Sequence, residues 1–186
     1  MKAKIALKKI VVIGPESTGK STLCGYLADY YNTLWCPEFA REYLLENGTA
    51  YTIDDLITIA KGQLDEVQKH IEALQSQMDQ TGIVKPLIID TDMYVMKVWS
   101  EYVFGECDFF ILDQIVKRKY DHYLLCNIDL PWVKDELREY PDEKPRIELF
   151  NIYKDLLINQ SVPWTIISGS YEERLAQAIE TVDSII

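Results

Sequence analysis

A glycine-rich stretch near the start of the chain has the spacing of a loop that binds phosphate. Residues 14–21 read G-P-E-S-T-G-K-S and match G-x-x-x-x-G-K-[ST] without a mismatch. Backbone N–H groups can surround a phosphate only where the chain curls tightly, which Gly14 and Gly19 permit. Lys20 would then place its charge between the β- and γ-phosphates of ATP, and the Ser21 hydroxyl would face Mg²⁺. The residues predicted to bind the nucleotide here are Gly14, Glu16, Ser17, Thr18, Gly19, Lys20, Ser21 and Thr22.

The sequence on either side of this loop supports the same interpretation. An apolar run, I-V-V-I at residues 10–13, precedes it as a predicted strand, and a helical pattern begins at Lys20. A helix that starts there adds the positive end of its dipole to the phosphate site. The rival for a glycine-rich turn is the dinucleotide-binding pattern G-x-G-x-x-G, which does not fit because Glu16 stands where the second glycine should be.

Two carboxylates follow a second apolar run. Residues 87–90 read L-I-I-D, a strand that ends in an acid, which is the usual form of the motif that holds the Mg²⁺ shell beside a phosphate loop. Asp90 is therefore the predicted catalytic carboxylate and, with Ser21, the predicted metal ligand. Asp92 is a second catalytic and substrate-binding candidate, although it could instead cap the helix that begins near Met93. The sequence leaves both interpretations of Asp92 open.

An acid and a base follow the second predicted strand. Residues 36–43 read C-P-E-F-A-R-E-Y and place Glu38 and Arg41 at the carboxyl edge of the sheet, where ligands bind in open α/β folds. If Glu38 accepts the proton of an attacking hydroxyl and Arg41 faces the transferring phosphoryl group, the pair supplies both functions of a small-molecule kinase. The alternative is a surface helix on which Glu38 and Arg41 form an i, i+3 ion pair.

Residues 129–146 are rich in charge and proline and have little apolar periodicity. Phosphoryl transfer must exclude water, and a mobile segment that carries arginines can close over the phosphates. This candidate lid offers Arg138 as a catalytic residue and Arg146 as a nucleotide contact. Trp132 offers a flat face to a ring. The alternative is a charged loop that is simply solvated.

The candidate site residues are positioned by strands and helices that alternate along the chain. The predicted strands are 9–13, 33–36, 86–89, 122–128 and 164–168, and the predicted helices are 20–31, 39–46, 54–80, 93–104, 109–119, 145–159 and 171–186. Strands that alternate with helices imply a parallel sheet. The sequence therefore predicts an α/β fold, a three-layer P-loop NTPase sandwich with a five-stranded parallel sheet and a short lid.

The composition favours one globular domain and argues against some functions. With 186 residues, 48% of them hydrophobic, the chain can hold a substantial core in a single domain that spans residues 1–186. A net charge of −11 argues against binding nucleic acid, which needs clustered lysine and arginine. No apolar stretch reaches the roughly 18 residues of a membrane span, and the basic residues 1–9 lead into a run too short for a signal peptide. We therefore expect a cytoplasmic protein that binds neither nucleic acid nor membranes.

The four cysteines, Cys24, Cys36, Cys107 and Cys126, lie far apart and form no C-x-x-C pair. Only two histidines, His70 and His122, could complete a metal site with them. We expect the cysteines to be reduced and mostly buried.

With these motifs in place, the chain resembles the nicotinamide riboside kinase domain of NadR-type proteins, a branch of the P-loop kinases. The resemblance extends from about Ile10 to the last helix. It rests on G-P-E-S-T-G-K-S-T at 14–22, P-E-F-A-R-E-Y at 37–43, Y-T-I-D-D-L-I-T-I-A-K-G-Q at 51–63, I-D-T-D at 89–92 and D-L-P-W-V-K-D at 129–135. The first block is shared widely, whereas P-E-F-A-R-E-Y and I-A-K-G-Q make the resemblance specific. The chain departs from the family at Glu136, where a glycine is frequent.

The resemblance implies an acceptor and a set of contacts. The acceptor would be the 5′-hydroxyl of nicotinamide riboside and the product nicotinamide mononucleotide, with Asp90, Asp92 or Glu38 near the sugar. Gln63 and Trp132 would lie near the base. The substrate-binding residues expected on this basis are Glu38, Arg41, Gln63, Asp92 and Trp132. Fuller members also carry a nucleotidyltransferase domain and a helix-turn-helix, and because the phosphate loop begins at Gly14 we expect the kinase module alone.

Three functional hypotheses follow from the sequence. The first is an ATP- and Mg²⁺-dependent kinase for a small nucleoside, nicotinamide riboside above all. The second is a P-loop ATPase that drives a conformational change in a partner, which the missing N-K-x-D motif and the lack of the added length of an AAA module disfavour. The third is a kinase for a different nucleoside, which would share every phosphate-binding residue and differ only in its acceptor pocket. The sequence does not fix the oligomeric state.

Overall fold

A computed structural model of the chain describes residues 6–186. The elements in chain order are β1 (Lys8–Ile13), α1 (Lys20–Tyr31), β2 (Trp35–Cys36), α2 (Phe39–Asn47), α3 (Ile53–Thr81), β3 (Pro86–Asp90), α4 (Met93–Phe104), α5 (Phe109–Lys117), β4 (His122–Cys126), α6 (Glu143–Ile158), β5 (Trp164–Ile167) and α7 (Tyr171–Asp183). The prediction that residues 1–9 form no signal peptide falls in part on residues 1–5, which lie outside the described residues.

The five strands form one parallel sheet in the order β2-β3-β1-β4-β5. β1 lies at its centre, where Lys8 pairs with Pro86 of β3 and Ile10 pairs with His122 of β4. The strands read as continuous apolar runs because helices cover both faces of a parallel sheet. This arrangement confirms the predicted α/β fold with a five-stranded parallel sheet.

Alternate residues of the central strand supply the two halves of the core. Ile10 and Val12 face α1 and α7, whereas Val11 and Ile13 face α3, α4 and α6. All four side chains are fully buried. The molecule therefore has three layers, with the sheet between two layers of helices.

Local signals in the sequence set the ends of the helices. α3 begins with a capping box, in which the Thr52 side chain accepts from the Asp55 amide and the Asp55 side chain accepts from the Thr52 amide. The same device, formed by Ser170 and Glu173, begins α7. α3 ends at Gly82, whose φ of 72° suits a glycine in the left-handed conformation. These ends fix where the long helices begin to pack on the sheet.

The observed bounds differ from the predicted ones mainly at loops. β2 is limited to Trp35–Cys36, since it is an edge strand paired only with β3, and β4 ends at Cys126 rather than at residue 128. α6 begins at Glu143 because Pro145 fits the first turn of a helix, where its missing N–H costs nothing. The irregular segment therefore spans residues 127–142, and the last four residues of the predicted lid belong to the start of α6.

Two further findings bear on the expectations from composition. Within residues 6–186, no helix combines the length and the apolar character that crossing a membrane requires. Three of the free cysteines, Cys24, Cys36 and Cys126, are buried, and Cys107 is partly buried. The cysteines are therefore mostly buried, as predicted.

Candidate active site

The phosphate loop forms a strained turn between β1 and α1. Gly14 has a φ of 145° and Gly19 a φ of 76°, and a Cβ atom on Gly14 would lie 2.8 Å from the Cys126 carbonyl oxygen. Ser17 also has a positive φ, of 56°. The buried Thr18 hydroxyl donates to the Pro15 carbonyl at 2.7 Å and closes the turn from inside. These restraints hold the loop in the curled shape that the sequence predicts.

The N-terminus of α1 is left open toward the loop. Its N-cap residue, Gly19, makes no side-chain cap, and the first turn contains no acidic residue. Because no side chain among residues 6–186 caps this end, the first N–H groups of α1 and the positive end of its dipole favour an anion in the cavity that residues 19–22 line. Lys20 folds back over the same loop, and its Nζ donates to the Pro15 carbonyl at 3.0 Å. The first turn and the lysine together form a site for a phosphate group.

Ser21 lines the cavity and, as predicted, meets Asp90, which lies directly behind Ser21 and reaches the site only through it. The Ser21 hydroxyl donates to Asp90 Oδ2 at 2.5 Å, and Asp90 Oδ1 is buried without a hydrogen-bond partner among the described residues. Burial, and then the charge of Glu38, raise the pKa of Asp90 to about 7, while Lys20 and the bond from Ser21 act in the opposite direction. A hydroxyl next to a carboxylate oxygen with free lone pairs fits Mg²⁺, which takes few protein ligands and completes its shell with phosphate and water. The donor set therefore fits the predicted metal.

Glu38 and Arg41 both line the cavity, but they do not pair with each other. The Glu38 carboxylate makes no hydrogen bond within the described part of the chain. Arg41 instead forms a two-pronged ion pair with Asp135 of the irregular segment, at 3.1 and 3.2 Å. The alternative interpretation of an i, i+3 surface pair is therefore wrong. Glu38 is free to accept a proton, and Arg41 connects α2 to the lid.

Asp92 is buried behind the site rather than at it. Its carboxylate caps α4 by accepting from the Tyr94 amide at 3.0 Å, and it accepts from the Tyr123 hydroxyl at 2.7 Å. Burial raises its pKa to about 6. The structure corrects its prediction as a catalytic and substrate-binding residue, since both carboxylate oxygens are used inside the fold and it does not line the cavity.

Gln63 also lies behind the site, where its side chain holds the backbone around Glu38 in place. Its amide oxygen accepts from the Phe39 amide at 2.8 Å, and its amide nitrogen donates to the carbonyls of Pro37 and Asp90 at 3.3 and 3.5 Å. Gln63 therefore ties the backbone on both sides of Glu38 to the end of β3. It is 2% exposed and does not line the cavity, which corrects its prediction as a contact of the base.

The lid lies against the phosphate loop. Trp132 donates through its indole Nε1 to the Glu16 carboxylate at 3.1 Å and does not line the cavity, which corrects its prediction as a platform for the base. Arg138 lines the cavity, and its guanidinium donates to the Val133 carbonyl.

Arg146 is 5% exposed and donates to the Leu130 carbonyl at 3.3 Å. It does not line the cavity, and the structure corrects its prediction as a nucleotide contact, because it supports the base of the lid from within α6.

Five aromatic side chains that the sequence analysis did not single out line the cavity, which has a volume of about 250 Å³. Trp99 donates through its indole Nε1 to the Tyr51 hydroxyl at 2.9 Å, and their ring centroids are 4.9 Å apart. Tyr102 packs edge-on against Tyr140 at 5.6 Å. Tyr51 and Tyr140 come from loops, Trp99 and Tyr102 from α4, and Tyr153 from α6. The helical spacing of Val95, Val98, Trp99 and Tyr102 on α4 was the available signal, and it is equally typical of a core face.

Arg174 was also missed by sequence reasoning. It is 2% exposed and donates to the carbonyls of Thr18, Asn127 and Gly169 at 2.8 to 3.0 Å, and it pairs with Asp129. It therefore braces the phosphate loop from behind and connects it to the segments that follow β4 and β5. Nothing in the sequence around position 174 distinguishes it from a surface arginine of an amphipathic helix.

Comparison with known proteins identifies the family. A family described as AAA domain matches residues 9–174. The chain belongs to this AAA domain family. Because the AAA domain model matches residues 9–174, the length of this chain does not argue against the second hypothesis, the P-loop ATPase.

Relatives of this AAA domain chain include the trifunctional NAD biosynthesis/regulator protein NadR of Escherichia coli strain K12, which is 24% identical over 178 residues. The match covers 95% of this chain but only 42% of that protein, so the chain spans about two fifths of the length of this relative. The predicted resemblance to NadR-type proteins is confirmed.

Solved structures show the same fold. A structure of NadR protein in complex with NR has a TM-score of 0.79 at 23% identity and covers 96% of this chain and 49% of that one. A thymidylate kinase from Ehrlichia chaffeensis has a TM-score of 0.66 at 15% identity and covers 96% and 100% of the two chains. The fold is therefore that of the P-loop kinases.

Proposed function

We propose that this chain transfers the γ-phosphoryl group of ATP, with Mg²⁺, to the 5′-hydroxyl of nicotinamide riboside and so forms nicotinamide mononucleotide. One observation carries the proposal: a single cavity is lined at one end by the phosphate loop, residues 14–22, and at the other by the aromatic side chains around Trp99. A hydroxyl on a ligand between the two ends would lie next to the transferring phosphoryl group.

The residues at the junction of the two ends can perform the transfer. Glu38 lines the cavity with a free carboxylate and can accept the proton of the attacking hydroxyl. Lys20 and the open first turn of α1 stabilise charge on the phosphates. Ser21 and Asp90 would hold Mg²⁺, which when bound neutralises charge on the β- and γ-phosphates. Arg138 extends the positive charge from the lid.

The charges of the acceptor end favour a nucleoside over a nucleoside monophosphate. Two arginines line this part of the cavity, and Arg41 is already neutralised by Asp135. Glu38 and Glu139 add negative charge to the same wall. A second phosphate on the acceptor would therefore meet more carboxylates than free cations, whereas a neutral ribose would not.

The aromatic end favours a flat ring that carries positive charge. Tyr51, Trp99 and Tyr102 provide ring surfaces, and the negative faces of aromatic rings attract cations. The ring of nicotinamide riboside is a pyridinium cation. The NadR structure was solved with NR bound, and its similarity to this chain supports the same acceptor.

A coupled ADP-release assay tests the proposal. The reactions contain nicotinamide riboside, other nucleosides, thymidine monophosphate, shikimate or no acceptor, each with and without Mg²⁺. Release that depends on nicotinamide riboside and exceeds release with every other acceptor by at least tenfold supports it. Equal release without acceptor would instead favour a P-loop ATPase, and faster release with another nucleoside would change the substrate.

A further inference from the structure

One carboxylate of the phosphate loop holds the lid. Glu16 Oε1 accepts from the Tyr140 amide at 2.6 Å and from Trp132 Nε1 at 3.1 Å, and Glu16 Oε2 accepts from the Glu139 amide at 2.9 Å. We call Glu16 and these three donors the latch. Hydrogen bonds to an ionised acceptor are stronger than neutral ones, and here three converge on one side chain. Glu16 lines the cavity, and both oxygens of its carboxylate accept hydrogen bonds from the lid.

The lid residues of the latch also form part of the acceptor pocket. The Glu139 carboxylate accepts from the Tyr51 hydroxyl at 3.1 to 3.3 Å, and Tyr51 accepts from Trp99. The Tyr140 ring packs against Tyr102. Residues 139 and 140 therefore hold the phosphate loop through their backbone and the acceptor pocket through their side chains.

Residues 139 and 140 of the lid therefore contact both ends of the cavity, the phosphate loop and the acceptor pocket. A ligand among Tyr51, Trp99 and Tyr102 fixes the side chains of residues 139 and 140, and with them the two amides that hold Glu16. A nucleotide that orders the phosphate loop fixes Glu16 from the other side. If one ligand has already ordered this shared element, the other ligand loses less conformational entropy on binding, so we expect the coupling to be favourable. Because coupling is reciprocal, each ligand should then tighten the binding of the other by the same factor.

We propose that Glu16 is a positioning residue that couples acceptor binding to nucleotide binding through the latch. The proposal rests on the proposed function only in the identity of the acceptor. A purely structural contact would stabilise the lid without linking the two ligands.

A thermodynamic cycle tests the coupling. The dissociation constant of a non-hydrolysable ATP analogue is measured by calorimetry with and without saturating nicotinamide riboside. In the wild type we expect the acceptor to tighten nucleotide binding by about tenfold. In Glu16→Ala the ratio should fall below twofold, and in Glu16→Gln, which keeps one acceptor oxygen but no charge, it should be intermediate. Because the coupling is a ratio, a general loss of nucleotide affinity cancels.

Glu136→Gln is the matched control. It removes one negative charge from the same lid, and the Glu136 carboxylate forms no hydrogen bond among residues 6–186. Its coupling ratio should equal that of the wild type. The proposal is overturned if a folded Glu16→Ala protein has the coupling ratio of the wild type. If Glu16→Ala does not unfold cooperatively, the same measurement on Glu16→Gln decides.

A second measurement separates this proposal from the proposed function. Amide hydrogen exchange across residues 132–140 is followed with the ATP analogue alone and needs no acceptor. Nucleotide should slow exchange of the Glu139 and Tyr140 amides in the wild type and not in Glu16→Ala. If nicotinamide riboside proves not to be an acceptor, this difference still supports the latch, and equal protection in both proteins refutes it.

Discussion

The two ends of the cavity are built in different ways. The phosphate end consists of nine consecutive residues, 14–22, and Ser21 connects them to the buried Asp90 of the neighbouring strand. The acceptor end takes Tyr51 from a loop, Trp99 and Tyr102 from α4, and Tyr140 from the lid. A backbone site must be contiguous because its donors are successive N–H groups, whereas a side-chain site can be assembled from any elements that the fold brings together. A sequence motif therefore specifies the phosphate end, whereas the acceptor end depends on the tertiary structure.

Replacing the lysine of the phosphate loop should have the largest effect. Lys20→Ala should lower turnover by about a thousandfold, because a charge aimed at the transferring phosphoryl group is lost. The only hydrogen bond of the Lys20 side chain within the described residues is to the Pro15 carbonyl, so the midpoint of thermal unfolding should change little. Lys69→Ala, a surface lysine of α3, is the control for loss of charge. Turnover close to that of the wild type would remove the phosphate end from the mechanism.

The carboxylate between the two ends comes next. Glu38→Gln should lower turnover by about a hundredfold while the nucleotide still binds, because an amide cannot accept the hydroxyl proton. Glu42→Gln, on the exposed side of the same helix, should behave like the wild type. Near-normal turnover in Glu38→Gln would show that Glu38 is not the base.

The same variant has a consequence for metal binding. Asp90 has a pKa of about 7 and must be ionised to hold a cation, so half-saturation by Mg²⁺ should require more metal as the pH falls below about 7. The charge of Glu38 raises this pKa, and in Glu38→Gln the rise should begin at a lower pH. Magnesium titrations of activity from pH 5.5 to 8 measure both curves, and identical curves would contradict the effect of the Glu38 charge on the pKa of Asp90.

A change confined to the acceptor end should be smaller and selective. Trp99→Leu should raise the KM of the acceptor by about tenfold and leave that of ATP unchanged, because it removes one aromatic wall and the bond to Tyr51. Trp164→Leu in β5 lies outside the cavity and should alter stability without altering either KM. Equal changes in both KM values for Trp99→Leu would mean that the two ends are not separable.

The smallest effect is expected for a residue near the site that takes no part in it. Asp92 has a pKa of about 6, above the ordinary 3.8, so the native state binds more protons between pH 4 and 6 and the free energy of unfolding falls as pH rises through this window. Asp92→Asn should flatten that part of the curve and change turnover at pH 8 by less than about twofold. Chemical unfolding of both proteins at pH 4, 5, 6 and 7 measures this change in the free energy of unfolding. A large loss of turnover would restore Asp92 to the site.

The same contrast explains what the sequence could predict. The phosphate loop, Asp90 and the alternation of strands and helices follow from local patterns, whereas the strand order comes from the structure. Asp92 was a candidate because it follows Asp90 by two residues, and Gln63 was a candidate because of the family resemblance. In the structure Asp92 caps a helix and Gln63 supports the backbone. Trp99 and Arg174 could not be found, since helical spacing is the same for a pocket wall, a buried brace and an ordinary core face.

The central position of β1 has a consequence for how the chain is made. Its apolar residues 10–13 leave the ribosome first, whereas their neighbours in β3 and β4 begin at Pro86 and His122. At roughly 5–20 residues per second, the strand waits on the order of ten seconds for its first partner. Lys8 and Lys9 stand directly before this run, and charges that flank an apolar strand oppose its pairing with other chains. We therefore expect the two lysines to reduce aggregation of the nascent chain until β3 and β4 can pair with β1.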